Sequence, residues 1–420
     1  MNATAATLTQ TPSQLDLLLR KALLGKLEKI QGAELTIGDP LGQCVLGRVG
    51  ADGLRASIQV HDVSFYRQIS LGGSIGAAEA YMDQLWQADD LTRVIQILVR
   101  NRDLLDSMEG GLATLANQAL KFWHSTRRNS QEGSRKNIAA HYDLGNDFFK
   151  LFLDQHGMYS SATFYRQSMS LEQASTAKLE RICQKLALKP SDHLLEIGTG
   201  WGGFAAYAAQ HYGCRVTTTT ISKAQYEGAK ARIQAADLQD KVTLIMEDYR
   251  ELTGQYDKLV SIEMIEAVGH HYLDTYISKC ASLLKPDGLA LIQAITIEDQ
   301  RYEQALKAVD FIKRYIFPGS FIPCVSAIVQ SSARCSDLRL LNLEDQGESY
   351  ALTLRSWRER FMAELEQVRA QGYNEEFIRM WEFYLCYCEG GFWEKSISNV
   401  QLLLAKPGNR RKQWLPGYGA

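Results

Sequence analysis

A glycine-rich decapeptide that links an apolar run to a helical pattern constrains the fold of this chain more than any other feature. Residues 194–203 read LLEIGTGWGG, and four of these ten residues are glycine. Glycine allows a ligand to approach the backbone N–H groups closely, and the N-terminus of a following helix favours negative charge. The pattern predicts a strand, a tight ligand-binding loop and a helix, in that order.

Strand and helix patterns alternate around this loop. Helical spacing at 202–211, 222–236 and 270–284 separates predicted strands at 193–197, 214–220, 242–246, 257–263 and 288–297. Two amphipathic helices (351–371 and 374–388) and a strand at 396–404 follow. Such alternation is typical of a doubly wound α/β fold with a mostly parallel sheet.

The chain before this region predicts a smaller α+β domain at 1–123, which we expect to be associated with lipid or membrane. A helical apolar stripe at 15–30 precedes strand patterns at 34–37, 44–48 and 54–60 and helices at 74–86 and 90–119. A polar, basic stretch without apolar periodicity predicts a linker at 124–138. We then expect a catalytic domain at 139–405 with a lipid-binding insertion at 300–345, and a basic tail at 406–420.

Composition argues against several classes of protein. Lysine and arginine total 46 and aspartate and glutamate 48, so the basic excess of most nucleic-acid-binding proteins is missing. We find neither an apolar run of the roughly 18 residues that span a membrane nor a signal-peptide pattern. The eight cysteines include no CxxC pair, which favours buried thiols. We therefore expect a cytoplasmic protein without a metal site or a nucleic-acid partner.

The residues around the glycine loop indicate which ligand it binds. Glu196 precedes the first glycine by two positions, where it suits a cationic amino-acid ligand better than a pyrophosphate. A dinucleotide enzyme requires an acid about 20 residues further on, and this chain has threonine at 217–220 instead. The expected cofactor is therefore S-adenosylmethionine, and the loop contributes Gly198, Gly200, Trp201 and Gly202.

The next two strand ends supply further candidates for cofactor binding. Thr220 and Gln225 can hydrogen-bond a ribose, Asp248 can accept from an adenine amino group, and Tyr249 can stack on the base. Singly, threonine also caps helices and aspartate is common in turns. Their shared position at the carboxyl edge of one sheet favours the binding role.

Motifs from about Gly73 to Leu404 resemble the cyclopropane-fatty-acyl-phospholipid synthases. In family order they are GSIGAAEAYMD from 73, HYDLGND from 141, MYSS from 158, MIEAVG from 264, FIKRYIFPG from 311 and GESYALTL from 347. The resemblance implies a seven-stranded class I methyltransferase sheet. It also implies transfer of the cofactor's methyl group to a cis double bond of a phospholipid acyl chain, which forms a cyclopropane ring.

The same resemblance implies a bicarbonate ion beside the reacting methyl group, held by Glu266, Tyr350 and the backbone around Ile295. Tyr159 and Ser160 match the family's cofactor lid. Glu266 at a helix start and a tyrosine with a satisfied hydroxyl also have purely structural interpretations. The motif around Glu266 favours the catalytic role.

Two positions depart from the family pattern. Ser161 and Gln293 stand where many members have cysteine and histidine, and with MIEAVG they resemble a Ser/Gln subgroup. Both side chains can still donate hydrogen bonds to an anion. The departures leave open whether the product is a ring or a methyl or methylene branch.

Basic residues predict contact with an anionic bilayer. They lie in the linker and the tail, at Arg127, Arg128, Arg135, Lys136, Arg410, Arg411 and Lys412. We expect an enzyme bound peripherally to the inner face of the membrane, and a homodimer is compatible with the sequence. Two alternatives stay open: a methyltransferase for a small hydrophobic or amine substrate, and a non-catalytic lipid-binding protein.

Overall fold

Two β-sheets organise the part of the chain that the computed structural model describes, residues 12–106 and 144–412. Several predicted features fall on residues outside these ranges. They are the linker with its four basic residues, the first three residues of the HYDLGND motif, the end of the tail and the end of the predicted 90–119 helix. No helix within the described ranges is both long and apolar enough to cross a membrane.

The N-terminal unit is a four-stranded sheet covered by helices. Its elements are α1 (Gln14–Leu27), β1 (Ala33–Asp39), β2 (Gly42–Arg48), β3 (Arg55–Val60), α2 (Ser64–Met82), β4 (Trp86–Ala88), α3 (Leu91–Arg100) and α4 (Arg102–Asp106). The strand order is β2-β1-β3-β4, with β1 parallel to β3 and antiparallel to β2. The three predicted strands are present, and α2 begins earlier than predicted and kinks at Gly73, where φ is 56°.

The second unit begins with two helices and then alternates between strands and helices. Its first elements are α5 (Asn146–Lys150), α6 (Leu171–Leu186), β5 (His193–Ile197), α7 (Gly203–Tyr212), β6 (Arg215–Thr219), α8 (Lys223–Ala235), β7 (Val242–Ile245), β8 (Tyr256–Ile262), α9 (Leu273–Ser282) and β9 (Leu284–Ile297). These are followed by α10 (Tyr302–Lys307), α11 (Val325–Cys335), β10 (Arg339–Asp345), α12 (Gly347–Ala363), α13 (Leu365–Ala370), α14 (Glu375–Trp393) and β11 (Ile397–Ala405).

The seven strands of this unit are ordered β10-β11-β9-β8-β5-β6-β7. The five from β9 to β7 are parallel, and β11 runs antiparallel to both of its neighbours. This confirms the predicted doubly wound α/β class. The predicted insertion at 300–345 is too long, because its last seven residues are β10. That edge strand is largely exposed, so its sequence carries little of the apolar pattern that marks the inner strands.

The two units pack through α3 and α14 around a buried carboxylate. Glu389 on α14 accepts a hydrogen bond from Thr92 Oγ1 of α3 at 3.1 Å. Arg355 and Arg358 of α12 donate to the same carboxylate, each at 3.0 Å. Removing water from a carboxylate is costly unless charged partners replace the water. The arginines therefore allow Glu389 to be buried where α3, α12 and α14 meet.

The surroundings of Gly390 show how closely α3 and α14 pack. A Cβ at this position would lie 2.7 Å from Cγ2 and 2.9 Å from Cβ of Ile95 on α3. At Gly391, one residue later, the nearest atoms belong to Ile397 at 3.4 Å, an ordinary contact distance. The two glycines therefore form a matched pair within one helix.

We expect Gly390→Ala to destabilise the protein by about 1–3 kcal/mol, the usual effect of overpacking. Gly391→Ala should be neutral or slightly stabilising, because alanine is favoured over glycine in a helix by about 1 kcal/mol. Thermal unfolding followed by circular dichroism measures both. Equal melting temperatures for the two variants would contradict the close contact between α3 and α14.

Candidate active site

A cavity of about 1430 Å³ adjoins the carboxyl ends of the parallel strands. The loops after β5, β6, β7 and β8 line one part of it, and α1, α2 and the N-terminal sheet line another, with Leu23 and Ile58 among the wall residues. The cavity therefore connects the glycine loop with the apolar interior of the N-terminal unit.

The glycine loop has a backbone that only glycine adopts readily. Gly198, Gly200 and Gly202 have φ values of 101°, 53° and 80°. The amides of Gly198 and Thr199 both donate to the carbonyl of Thr219 at the end of β6, at 3.1 and 3.0 Å. These bonds fix the loop at the carboxyl edge of the sheet, where the sequence predicted a ligand site.

Glu196 lies on β5 and lines the cavity beside the loop. Its side chain accepts a hydrogen bond of 2.6 Å from Thr218 Oγ1, and only 2% of the residue is exposed. Burial raises the pKa of Glu196 to about 8. A cationic ligand would favour its ionised form, in agreement with the predicted contact with the amino-acid part of S-adenosylmethionine.

The other predicted cofactor residues, except Gly202, also line the cavity. Trp201 Nε1 donates to Asn146 Oδ1 at 2.8 Å, so a residue of the HYDLGND motif holds the loop's indole. Thr220 Oγ1 donates to Gln225 Oε1 at 2.9 Å, which places these two candidates in direct contact.

Asp248 and Tyr249 follow β7 and form the next part of the wall. Asp248 is buried and accepts from the Arg250 amide at 3.0 Å. The Tyr249 ring meets the edge of Tyr276 with centroids 5.5 Å apart. The structure thus brings the predicted adenosine-binding residues to the carboxyl edge of the parallel sheet. Their contacts with a nucleoside stay a prediction.

Tyr159 and Ser160, the predicted lid residues, line the cavity. The Tyr159 hydroxyl is 2.9 Å from that of Tyr384. Ser160 accepts a 2.7 Å hydrogen bond from Lys178, whose pKa burial lowers to about 8. Sequence reasoning missed Lys178, although its place on the apolar face of α6, four residues from Ala174 and from Ile182, is unusual for a lysine.

Glu266 contacts the backbone that the resemblance associated with it. Its Oε1 accepts from the Ile295 amide at 2.5 Å. Its Oε2 is buried and has no hydrogen-bond partner in the described part of the chain, and the residue lines the cavity. Burial and the negative charge of nearby Glu263 raise the pKa of Glu266 to about 8.

Tyr350 contacts a carboxylate of the protein. Its hydroxyl donates at 2.8 Å to Oε2 of Glu263, a residue that the sequence analysis did not single out, and its role as an ion ligand with Glu266 stays a prediction. Glu263 directly follows β8 with φ of 50°, a conformation that non-glycine residues seldom adopt. That turn places its carboxylate where an external anion was expected.

The two residues that depart from the family pattern contact the same carboxylate. The Ser161 amide and Gln293 Nε2 each donate to Glu263 Oε1 at 2.9 Å. The Ser161 hydroxyl instead donates to the carbonyl of Ala162. Asn399 on β11, also missed, adds a 2.7 Å bond to Oε1. The only sequence signal for Glu263 was an acid at the carboxyl end of a predicted strand.

A family model described as mycolic acid cyclopropane synthetase matches residues 129–402. The tuberculostearic acid methyltransferase UfaA1 of Mycobacterium tuberculosis is 36% identical over 349 residues, which cover 81% of each chain. The cyclopropane-fatty-acyl-phospholipid synthase of Escherichia coli strain K12 is 35% identical over 353 residues, 84% of this chain and 88% of that one.

Solved structures agree with these relatives. The mycolic acid cyclopropane synthase CmaA1, complexed with SAH and CTAB, superposes with a TM-score of 0.61 and 29% identity. The match covers 65% of this chain and 98% of that one. Family model, relatives and structure all identify the same catalytic domain. The chain therefore belongs to the mycolic acid cyclopropane synthetase family and is an S-adenosylmethionine-dependent methyltransferase.

Proposed function

We propose that this enzyme transfers the methyl group of S-adenosylmethionine to the cis double bond of an unsaturated phospholipid acyl chain and closes a cyclopropane ring. The continuous cavity from the glycine loop to the interior of the N-terminal unit carries this proposal. One part offers cofactor-binding groups and the other an apolar wall, so an acyl chain can reach the cofactor's methyl group. The names of the relatives support a lipid substrate.

The chemistry explains why such a cavity is needed. An isolated alkene is a weak nucleophile, so catalysis depends on holding it in line with the methyl group, an effect of up to about 7–11 kcal/mol. Methyl transfer leaves a carbocation, which water would trap. Aromatic side chains at Phe317, Phe383 and Phe392 line the cavity, where they exclude water and their ring faces stabilise positive charge.

The last step is loss of a proton, and this step favours a ring over a saturated branch. Ring closure needs only a base that accepts a proton from the transferred methyl group. A saturated methyl branch needs a hydride donor as well. The carboxyl groups of Glu263 and Glu266 both belong to the cavity wall, so the requirement for ring closure can be met within this site.

Bicarbonate, which the resemblance implies as the base, does not fit the residues expected to hold it. Tyr350, Gln293 and the Ser161 amide donate to Glu263, and the Ile295 amide donates to Glu266. These groups already contact carboxylates of the protein. We therefore derive no step through bicarbonate.

Mass spectrometry of phospholipid fatty acids after incubation with methyl-labelled S-adenosylmethionine tests the proposed reaction. We expect monounsaturated chains to gain CH2, and chromatography should separate a ring from a methylene branch. Gain of CH4 would indicate a saturated branch instead. Cofactor turnover with small amines but not with phospholipid would support the small-substrate alternative, and lipid binding without cofactor binding would support the carrier alternative.

Glu196→Gln tests the cofactor site. We expect weaker S-adenosylmethionine binding by about 1.5–3 kcal/mol, the range for hydrogen bonds to charged groups. With a pKa of about 8, free Glu196 is mostly protonated at pH 7, and a bound cation favours its ionised form. The wild type should therefore release a proton on binding that the variant does not release.

Calorimetry in buffers of different ionisation enthalpy measures this proton release. Glu227→Gln, an exposed position on α8, removes the same charge outside the cavity and is the matched control. Equal affinity and equal proton release in Glu196→Gln and the wild type would contradict the assignment.

We also propose that the N-terminal unit contacts the membrane through the start of α1. Leu15, Leu17 and Leu18 are 51%, 42% and 66% exposed. Later residues of the same helix, among them Leu23 and Leu27, line the cavity. Leucines that insert among lipid chains at this point would place the cavity next to its substrate.

The described part of the basic tail has a different position. Gly408 donates to the Pro286 carbonyl near the start of β9, and Arg411 to the Lys185 carbonyl at the end of α6. These contacts lie towards the amino edge of the parallel strands, away from the glycine loop. We therefore assign the membrane contact to α1 and not to this tail.

Sedimentation with vesicles of unsaturated phosphatidylglycerol tests this assignment. We expect Leu15→Ser with Leu18→Ser to weaken binding by about tenfold or more, because burying one leucine contributes about 1.5–3 kcal/mol. Val45→Ser is the control, since Val45 is 60% exposed on β2 and does not line the cavity. Loss of binding on mutation of Arg410 and Arg411 to alanine, with the leucine variant unaffected, would refute it.

A further inference from the structure

Glu263 is surrounded by donors from four separate parts of the fold. Oε1 accepts from the Ser161 amide, Gln293 Nε2 and Asn399 Nδ2, and Oε2 accepts from the Tyr350 hydroxyl. Three of these residues belong to the set that the family resemblance implied around bicarbonate. In this chain a side-chain carboxylate occupies the centre of that set.

The two oxygens of Glu263 differ in what they can still accept. An ionised carboxylate offers about four lone-pair positions, two on each oxygen. Oε1 already has three donors within 2.9 Å, whereas Oε2 has one at 2.8 Å. Glu263 also lines the cavity, so Oε2 is the atom with a lone pair left for a substrate.

We infer that Glu263 is the general base of this enzyme and fills the place that the resemblance gives to bicarbonate. The inference rests on the proposed function and names the residue that completes it. It assigns proton removal to the protein itself, without a dissociable anion.

Methyl transfer and ring closure conserve both atoms and charge. The alkene electron pair attacks the methyl carbon while the carbon–sulfur bond breaks, and its electrons leave a neutral thioether on the cofactor. A cation forms on the second alkene carbon. Glu263 Oε2 then takes one methyl hydrogen as a proton, and the freed C–H electron pair closes the ring. The sulfonium and the carboxylate both end neutral, so the step leaves no new charge beside the acyl chain.

Glu266 lies on the same cavity wall but is a poorer candidate. It accepts a hydrogen bond from one backbone amide, whereas Glu263 accepts four hydrogen bonds. Two neighbouring buried carboxyls do not both ionise readily, and the better-solvated one keeps the charge. Burial raises the pKa of both carboxyls, that of Glu266 to about 8, but only at Glu263 do hydrogen bonds from Gln293, Ser161 and Tyr350 oppose the rise, so Glu263 is the one that keeps the charge.

Turnover of two Glu263 variants in bicarbonate-free buffer tests the inference. Glu263→Gln keeps the shape of the side chain but cannot accept the proton, and we expect turnover to fall by about 10²–10⁴-fold with S-adenosylmethionine affinity unchanged. Glu227→Gln is the control for charge. We expect wild-type turnover to be the same with and without added bicarbonate.

Glu263→Gly provides a second, independent measurement. Glycine suits the φ of 50°, so this variant should fold, and it leaves the donors of Ser161, Gln293, Asn399 and Tyr350 around a hole of anion size. We expect added bicarbonate or formate to restore part of its turnover but none of that of Glu263→Gln.

Three results would overturn the inference. They are near wild-type turnover in Glu263→Gln, stimulation of the wild type by bicarbonate, and absence of anion rescue in Glu263→Gly. Failure of the proposed function has a different signature, because the wild type itself would then give no modified phospholipid.

Discussion

Buried carboxylates must be compensated by hydrogen bonds, and this requirement connects the active site of the protein with its domain packing. Glu389 is buried between the two units because two arginines and a threonine replace its water. Glu263 is held by donors from the loop after α5, from β9, from β11 and from α12. A carboxylate held by such distant segments can form its contacts only when the tertiary structure is complete.

The same arrangement links the chemistry to the shape of the cavity. The parallel strands bring the glycine loop, Glu196 and Glu263 to one edge, and α14 joins that edge to the N-terminal unit. The cofactor site and the apolar wall are thus parts of one space. In that space proton removal by a fixed carboxylate has an advantage over proton removal by a mobile ion, since the base is in place before the substrate enters.

Local sequence patterns predicted the local features of this structure. The glycine loop and the strands β5 to β9 follow from apolar periodicity and from backbone conformations that need glycine, and they led to the correct fold class. The exposed edge strand β10 lacks that periodicity and was assigned to an insertion. The partner of Tyr350 could not be predicted because the 2.8 Å contact joins residues 87 positions apart. A resemblance indicates which residue types surround a site. Which of those residues contact one another depends on the path of the backbone, here at Glu263.

Each of the two units forms one part of the cavity, so substrate selection and catalysis depend on different residues. The far wall, with residues such as Leu23 and Ile58, is built by the N-terminal unit, and the reacting groups belong to the methyltransferase sheet. Substitutions in β1 and β3 can therefore change the accepted acyl length while the reacting groups remain intact. Chain-length preference and reactivity can evolve independently in such a protein.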